Sequence, residues 1–223
     1  MKNDLIIKAL TKYLAGLILV MALVFIPAGS FKFVNGWLFI GLLFLQMLIV
    51  GIVLLIKSPS LLEKRLNAKE TQSEQKSVVA LSGIMFLSGF IIAGLNYRFD
   101  WILLPKWVVA LGAVVFLLSY IAYAEVLREN EYLSRTIEIQ ENQKVIDTGL
   151  YGVVRHPMYA STVLMFVSIP IVLGSLISFF IFLIYPFILA KRIKNKELIL
   201  EDGLEGYAEY KKKVKYRLIP FIW

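Results

Sequence analysis

The chain has 223 residues, 59% of them hydrophobic and 18% charged, with a formal net charge of +8. Soluble domains average near half apolar and about a quarter charged, so this excess of apolar residues, gathered into runs, points to an integral membrane protein. Cysteine is absent and histidine occurs once, which excludes disulfides, thiolate metal sites, a cysteine nucleophile and a histidine-rich metal site. In so apolar a chain the positive charge is assigned to the membrane surface and not to nucleic acid.

A membrane span needs about 20 largely apolar residues, and the stretches 13–28, 37–56, 78–95 and 107–126 each read as one. The first has no small-residue cleavage site after it and is expected to be a retained span, not a removed signal. The mixed-charge segment 56–77 reads either as a surface helix, with Leu61, Leu62 and Leu66 facing the membrane boundary, or as a solvated linker. A polar stretch over 127–155 then leads into residues 159–190, which carry no charge over 32 residues. That is too long for one helix and predicts a hairpin turning near Leu173-Gly174-Ser175, its arms kinked or bounded by Pro170 and Pro186. The expected fold class is all-α, a polytopic membrane protein with about six transmembrane helices; five plus a re-entrant piece is the alternative.

With the N-terminus inside, 21 of the 24 lysines and arginines fall on inner segments and only Lys32, Arg98 and Lys106 lie outside. This asymmetry follows the positive-inside rule and predicts that both termini are cytoplasmic. The tail 191–223 alternates charge with Tyr207, Tyr210 and Tyr216 and suits an amphipathic helix on the inner face. No internal repeat of the transporter kind is evident, and no ionisable side chain is expected near the centre of a span.

Three inner segments carry the polar residues that the spans leave unexplained. The first runs from Asn130-Glu131-Tyr132-Leu133-Ser134-Arg135 to Asp147-Thr148-Gly149, the second is Arg155-His156-Pro157-Met158-Tyr159, and the third is Lys191-Arg192-Ile193-Lys194-Asn195-Lys196-Glu197. A hairpin that leaves and returns to one face brings the second and third together, placing Arg155, His156, Arg192 and Glu197 around one site. Each residue alone has an ordinary explanation. Arg155 and Arg192 suit headgroup contacts, Pro157 suits a first helical turn, His156 suits packing, Tyr151 and Tyr159 suit the interface, and Glu197 suits a lysine pair. Their coincidence at one depth carries the functional reading.

Thr148-Gly149-Leu150-Tyr151 followed by Arg155-His156-Pro157-Met158-Tyr159 resembles the motif of the isoprenylcysteine carboxyl methyltransferase family, whose general form the membrane phospholipid methyltransferases share. Asn130-Glu131-Tyr132, Arg135-Thr136, Gly206-Tyr207-Ala208-Glu209-Tyr210 and the closing run from Lys215 to Trp223 also resemble bacterial members. The resemblance covers about 120–223. It implies a methyltransferase region over 107–223 made of a helix, a cytoplasmic loop, a helical hairpin and an amphipathic tail, after an N-terminal set of helices over 1–106 to which no role is assigned. It further implies a cytoplasmic-side pocket for S-adenosylmethionine in the plasma membrane of a bacterium, and methylation of a lipidic or prenylated acceptor amid membrane lipids, without nucleic acid or metal.

Carried over by position, the resemblance puts Gln140, Lys144, Val145, Ile146, Tyr151, Arg155, His156, Pro157 and Tyr159 at the cofactor. Arg192 would hold the anionic acceptor as the catalytic residue. An acidic pair that would contact the cofactor reads Lys196-Glu197 here, so its first member is missing and Glu197 is the remaining candidate. A carboxylate acceptor is already ionised and needs no base, whereas a lipid amine would require His156 or Glu197 to take a proton. Carboxyl methylation is the leading expectation. Amine N-methylation and a non-catalytic membrane protein that keeps the fold are the alternatives.

Overall fold

The computed structural model describes residues 2–67, 73–133 and 139–223, with backbone alone at 2 and 73–75. Ser134, Arg135 and Thr136 lie outside the described residues. The described chain is helical: α1 Lys2–Ala28, α2 Val34–Lys57, α3 Pro59–Leu66, α4 Ser73–Phe99, α5 Lys106–Glu129, a single 3-10 turn Gly149–Gly152, α6 Pro157–Val172, α7 Leu176–Phe182, α8 Tyr185–Gly203 and α9 Tyr207–Lys213. Among these residues there is no strand, only an isolated bridge between Leu103 and Ser175.

Five helical stretches are long and apolar enough to cross a membrane: Asn3–Ala28, Val34–Lys57, Lys76–Phe99, Lys106–Glu129 and Leu176–Gly203. Their outward side chains are apolar, as at Ile18, Ile26 and Ile56, each more than two-thirds exposed. In water such exposure would be costly, whereas lipid tails match these side chains. The protein is therefore an integral membrane protein of all-α class. The sixth helix, α6, has 16 residues and so spans about 24 Å, less than a typical hydrocarbon core.

The hairpin predicted over 159–190 is present and turns at Leu173–Ser175. Gly174 N–H donates to the Ile171 carbonyl, and Ser175 Oγ accepts from the Ser178 N–H as the cap of α7. Its second arm breaks at Leu183 into α7 and α8, and Pro186 lies in the first turn of α8, where its missing N–H costs no helical bond. Gly174 O accepts from the Leu104 N–H, which pins the turn to the α4–α5 loop. The second arm packs closely on α4 where side chains are small. A Cβ on Gly89 would stand 2.3 Å from the Phe182 ring, and Ser178 Oγ donates to the Gly89 carbonyl at 2.8 Å.

The main core draws Phe39, Phe90, Phe116, Ile169, Phe182 and Ile193 from α2, α4, α5, α6, α7 and α8. A second core is smaller and sits at the site-bearing end, where Leu61 and Leu62 of α3 meet Val126, Leu127, Leu133 and Tyr151. This corrects the expectation for α3: Leu61 and Leu62 are buried against protein, with Leu66 packed beside them, instead of facing the membrane boundary. The tail also differs. Only Tyr207–Lys213 is a separate helix, and residues 214–217 run non-helically back against Arg155 and His156, whose N–H groups donate to the carbonyls of Tyr216 and Arg217. Burial of Tyr207 and Tyr210 drives this return, since both would be wetted on a surface helix.

Candidate functional site

Glu197 organises the site. It is 2% exposed, and its Oε1 accepts from Arg155 Nε at 2.7 Å and from His156 Nε2 at 3.1 Å, while Oε2 accepts from Arg217 Nε at 2.8 Å. Arg155 spends a further nitrogen, Nη1, on the carbonyls of Val214 and Lys215, both at 2.8 Å. A carboxylate this deep is tolerated because every oxygen is paired with a charged or polar donor. Burial drives the His156 pKa down from the usual 6.5 to about 4, against the raising influence of Glu197. The ring is therefore neutral at pH 7 and donates its Nε2 proton to the carboxylate.

Beside this hub opens a narrow cleft, partly open to solvent. One wall is the segment Gln143–Ile146 with Asn130, Tyr132 and Leu133. A second is the motif, with Tyr151, Arg155, His156, Met158 and Tyr159. The third is α8 and α9, with Lys196, Leu200, Leu204, Tyr207 and Tyr210.

Local bonds explain why these segments stand where they do. Asn130 Nδ2 donates to the Tyr151 hydroxyl at 2.9 Å, and Tyr210 donates its hydroxyl to the Tyr151 carbonyl at 2.8 Å. Leu150 N–H donates to Glu129 at the end of α5, and Gly149 has φ +50 with Glu129 pressed so close that a Cβ would lie 1.6 Å from Oε1. Only glycine fits that place. Lys213 pairs with Asp147 at 2.7 Å and holds its carboxyl below the usual range. One polar atom has nothing to bond: among the described residues the Tyr207 hydroxyl is buried without a partner, and it belongs to the cleft wall.

Of the residues named from sequence, Lys144, Val145, Ile146, Tyr151, Arg155, His156 and Tyr159 line the cleft together. Four do not line it. Gln140 stands behind the loop, its amide donating to the Tyr132 carbonyl at 2.6 Å while its oxygen accepts from Lys64. Pro157 is buried in the first turn of α6. Glu197 is committed to Arg155, His156 and Arg217, so it is not free to replace the missing carboxylate. Arg192 donates its Nε–H to the Tyr159 hydroxyl at 3.1 Å. Lys196 occupies the cleft instead, its ammonium 5.5 Å from the centre of the Tyr159 ring. Sequence reasoning missed Arg217 and the wall residues Leu200, Leu204, Tyr207 and Tyr210. The two tyrosines carried a signal in their three-residue spacing, which puts them on one helical face, but Arg217 lies in a segment without periodicity.

Residues 108–202 match the family model of the isoprenylcysteine carboxyl methyltransferase (ICMT) family. The chain is also similar to the Delta(14)-sterol reductase TM7SF2 of Mus musculus, 30% identical over 91 residues, which is 40% of this chain and 22% of that protein. The match thus spans about a fifth of that relative's length. Cleft, motif and hairpin fall largely within this matched segment, which covers less than half of the chain.

Proposed function

We propose that the protein is an S-adenosylmethionine-dependent methyltransferase that methylates the carboxylate of a lipidic, isoprenoid-like acceptor at the membrane surface. The observation that carries this reading is the cleft itself: a pocket walled by the family motif, with a buried hydroxyl at Tyr207 that lacks a partner. Tyrosine rings, aliphatic side chains and a polar loop suit the nucleoside of the cofactor. Lys144 suits its carboxylate, whereas Lys196 opposes its ammonium. When bound, the cofactor would supply a methyl group already activated on a sulfonium, which an aligned carboxylate could accept without a base.

The chain's own residues then have separable tasks. Tyr207 offers a hydroxyl to the nucleoside side. Arg155, His156 and Glu197 form the rigid floor that fixes α8 against the motif. Burial, which lowers the His156 pKa to about 4 against the raising influence of Glu197, makes this imidazole a weak base, and that favours the already ionised carboxylate over an amine acceptor. Arg192, next to the apolar hairpin, orients the acceptor anion through paired N–H donors. The pole bearing the site also bears most of the positive charge, which supports a cytoplasmic placement.

Calorimetry in detergent tests this. Wild type is expected to bind S-adenosylmethionine, and Tyr207→Phe to bind it several-fold more weakly without loss of thermal stability. Arg192→Ala is expected to abolish turnover and leave cofactor binding intact. No binding by wild type at millimolar cofactor would end the methyltransferase reading. The likeness to a sterol reductase, with a cleft lining that carries lysines and no carboxylate, supports a second reading: hydride transfer to a sterol-like lipid from a phosphate-bearing nicotinamide dinucleotide. Titrating that dinucleotide in the same cell separates the two.

A further inference from the structure

Arg65 belongs to α3, outside the residues that match the family, and its side chain turns inward. Arginines at a membrane boundary ordinarily extend toward headgroups. This one enters between α5 and α6: Nη2 donates to the Tyr123 hydroxyl, Nη1 is 3.7 Å from Met158 Sδ, and the guanidinium carbon is 5.6 Å from the centre of the Tyr123 ring. Met158 is a wall residue of the cleft and precedes Tyr159. The hydroxyl of Tyr159 holds Arg192. Two guanidiniums, one from each half of the chain, thus approach consecutive residues, Met158 and Tyr159, where α6 begins.

We propose that Arg65 is a second anion-holding residue at the acceptor end, acting with Arg192 on the carboxylate of the lipidic acceptor. This rests on the carboxylate-acceptor reading above and adds to it a specificity residue supplied by the N-terminal half. The physical need is plain. A carboxylate drawn beside the hairpin sheds water, and that loss is offset only by close, well-placed donors. One guanidinium gripping both oxygens would also quiet the oxygen that must attack. A second cation can take the non-reacting oxygen and leave the other available.

The test compares binding of N-acetyl-S-farnesylcysteine, a lipidic acid, with its neutral carboxamide, using the full-length protein in detergent with and without S-adenosylmethionine. Wild type is expected to prefer the acid by about tenfold or more, as a charge-assisted contact predicts. In Arg65→Gln the acid should lose about tenfold while the amide, the cofactor affinity and the melting temperature hold, and Arg65→Lys should recover most of the loss. Acid and amide weakening together would mark a structural role and overturn the proposal, as would a wild type that does not prefer the acid. Should Arg65→Gln fail to fold, Tyr123→Phe releases the guanidinium without removing it; an unchanged acid-to-amide ratio there overturns the proposal too. Cofactor binding is read separately: its absence sinks the methyltransferase reading, a wild type that binds cofactor without preferring the acid sinks the carboxylate-acceptor reading, and an acid preference left intact by Arg65→Gln sinks the role of Arg65 alone.

Discussion

Glu197 accepts from Arg155, His156 and Arg217 in the interior, while its neighbour Lys196 reaches into the cleft. The two residues therefore answer different questions. Lys196 sets affinity: replacing its cation by a carboxylate in Lys196→Glu is expected to tighten S-adenosylmethionine binding by about tenfold, the effect of one well-placed charge pair. Unchanged calorimetric affinity would mean that charge at this position is not limiting. His156, the buried partner of Glu197, sets how stability depends on pH. The folded state holds this imidazole neutral down to about pH 4, whereas the unfolded chain protonates it near 6.5. Between those values the unfolded state binds more protons, so stability is full above about pH 6.5 and falls as pH drops toward 4, by up to about 3 kcal/mol from this group. The charged groups that face it are Glu197, Arg155 and Lys196. Melting temperatures measured from pH 7 to 4.5 should show this loss, and His156→Gln should flatten that part of the slope.

At the scale of elements, α3 is the informative one. Its sequence permitted a surface helix or a linker, because eight residues with two basic side chains and three leucines fit either. What decides is the second core: Leu61 and Leu62 are 2% and 7% exposed and pack on the end of α5 and on Tyr151 of the cleft. Leu62→Ala is therefore expected to cost about 2–5 kcal/mol, as core truncations do, and to weaken cofactor binding although it lies outside the matched segment. A leucine merely facing lipid would give neither result in a denaturation and calorimetry series. The hairpin, by contrast, was legible, since 32 uncharged residues with a central glycine leave a buried turn as the economical solution. The tail was not. Its alternating charges suit a surface helix, and only tertiary contacts, the burial of Tyr207 and Tyr210 and the demand of Arg155 for carbonyls, draw residues 214–217 into a non-helical return.

Over the whole molecule, two poles differ in charge. One gathers the α1–α2 loop, the α4–α5 loop and the hairpin turn, with Lys32, Arg98 and Lys106. The other gathers α3, the polar loop, α9 and the tail, with most of the basic residues. We propose that the second pole is cytoplasmic. The absence of cysteine makes this simple to test by labelling intact cells with a membrane-impermeant maleimide. Lys32→Cys should react from outside, and Lys212→Cys only after permeabilisation; the opposite pattern would invert the topology. This much of the architecture was readable because charge and hydropathy act locally. The cleft itself depends on residues far apart in the chain: the hairpin joined Arg155 and His156 to the Lys196–Glu197 stretch, but no local pattern set Tyr207 and Tyr210 beside them.

The carbonyls that satisfy Arg155 stand 59 and 60 residues after it in the chain, and its carboxylate partner stands 42 after it. During synthesis this arginine emerges at the membrane long before any of them exists. The ribosome must finish the hairpin before Glu197 arrives, and then the turn of α9 before Val214 and Lys215 do. The spans can therefore be seated in lipid while the cleft is still unformed, and ligand capture becomes the last event of biogenesis. A nascent chain halted before Val214 would hold a membrane-inserted bundle whose guanidinium still faces water.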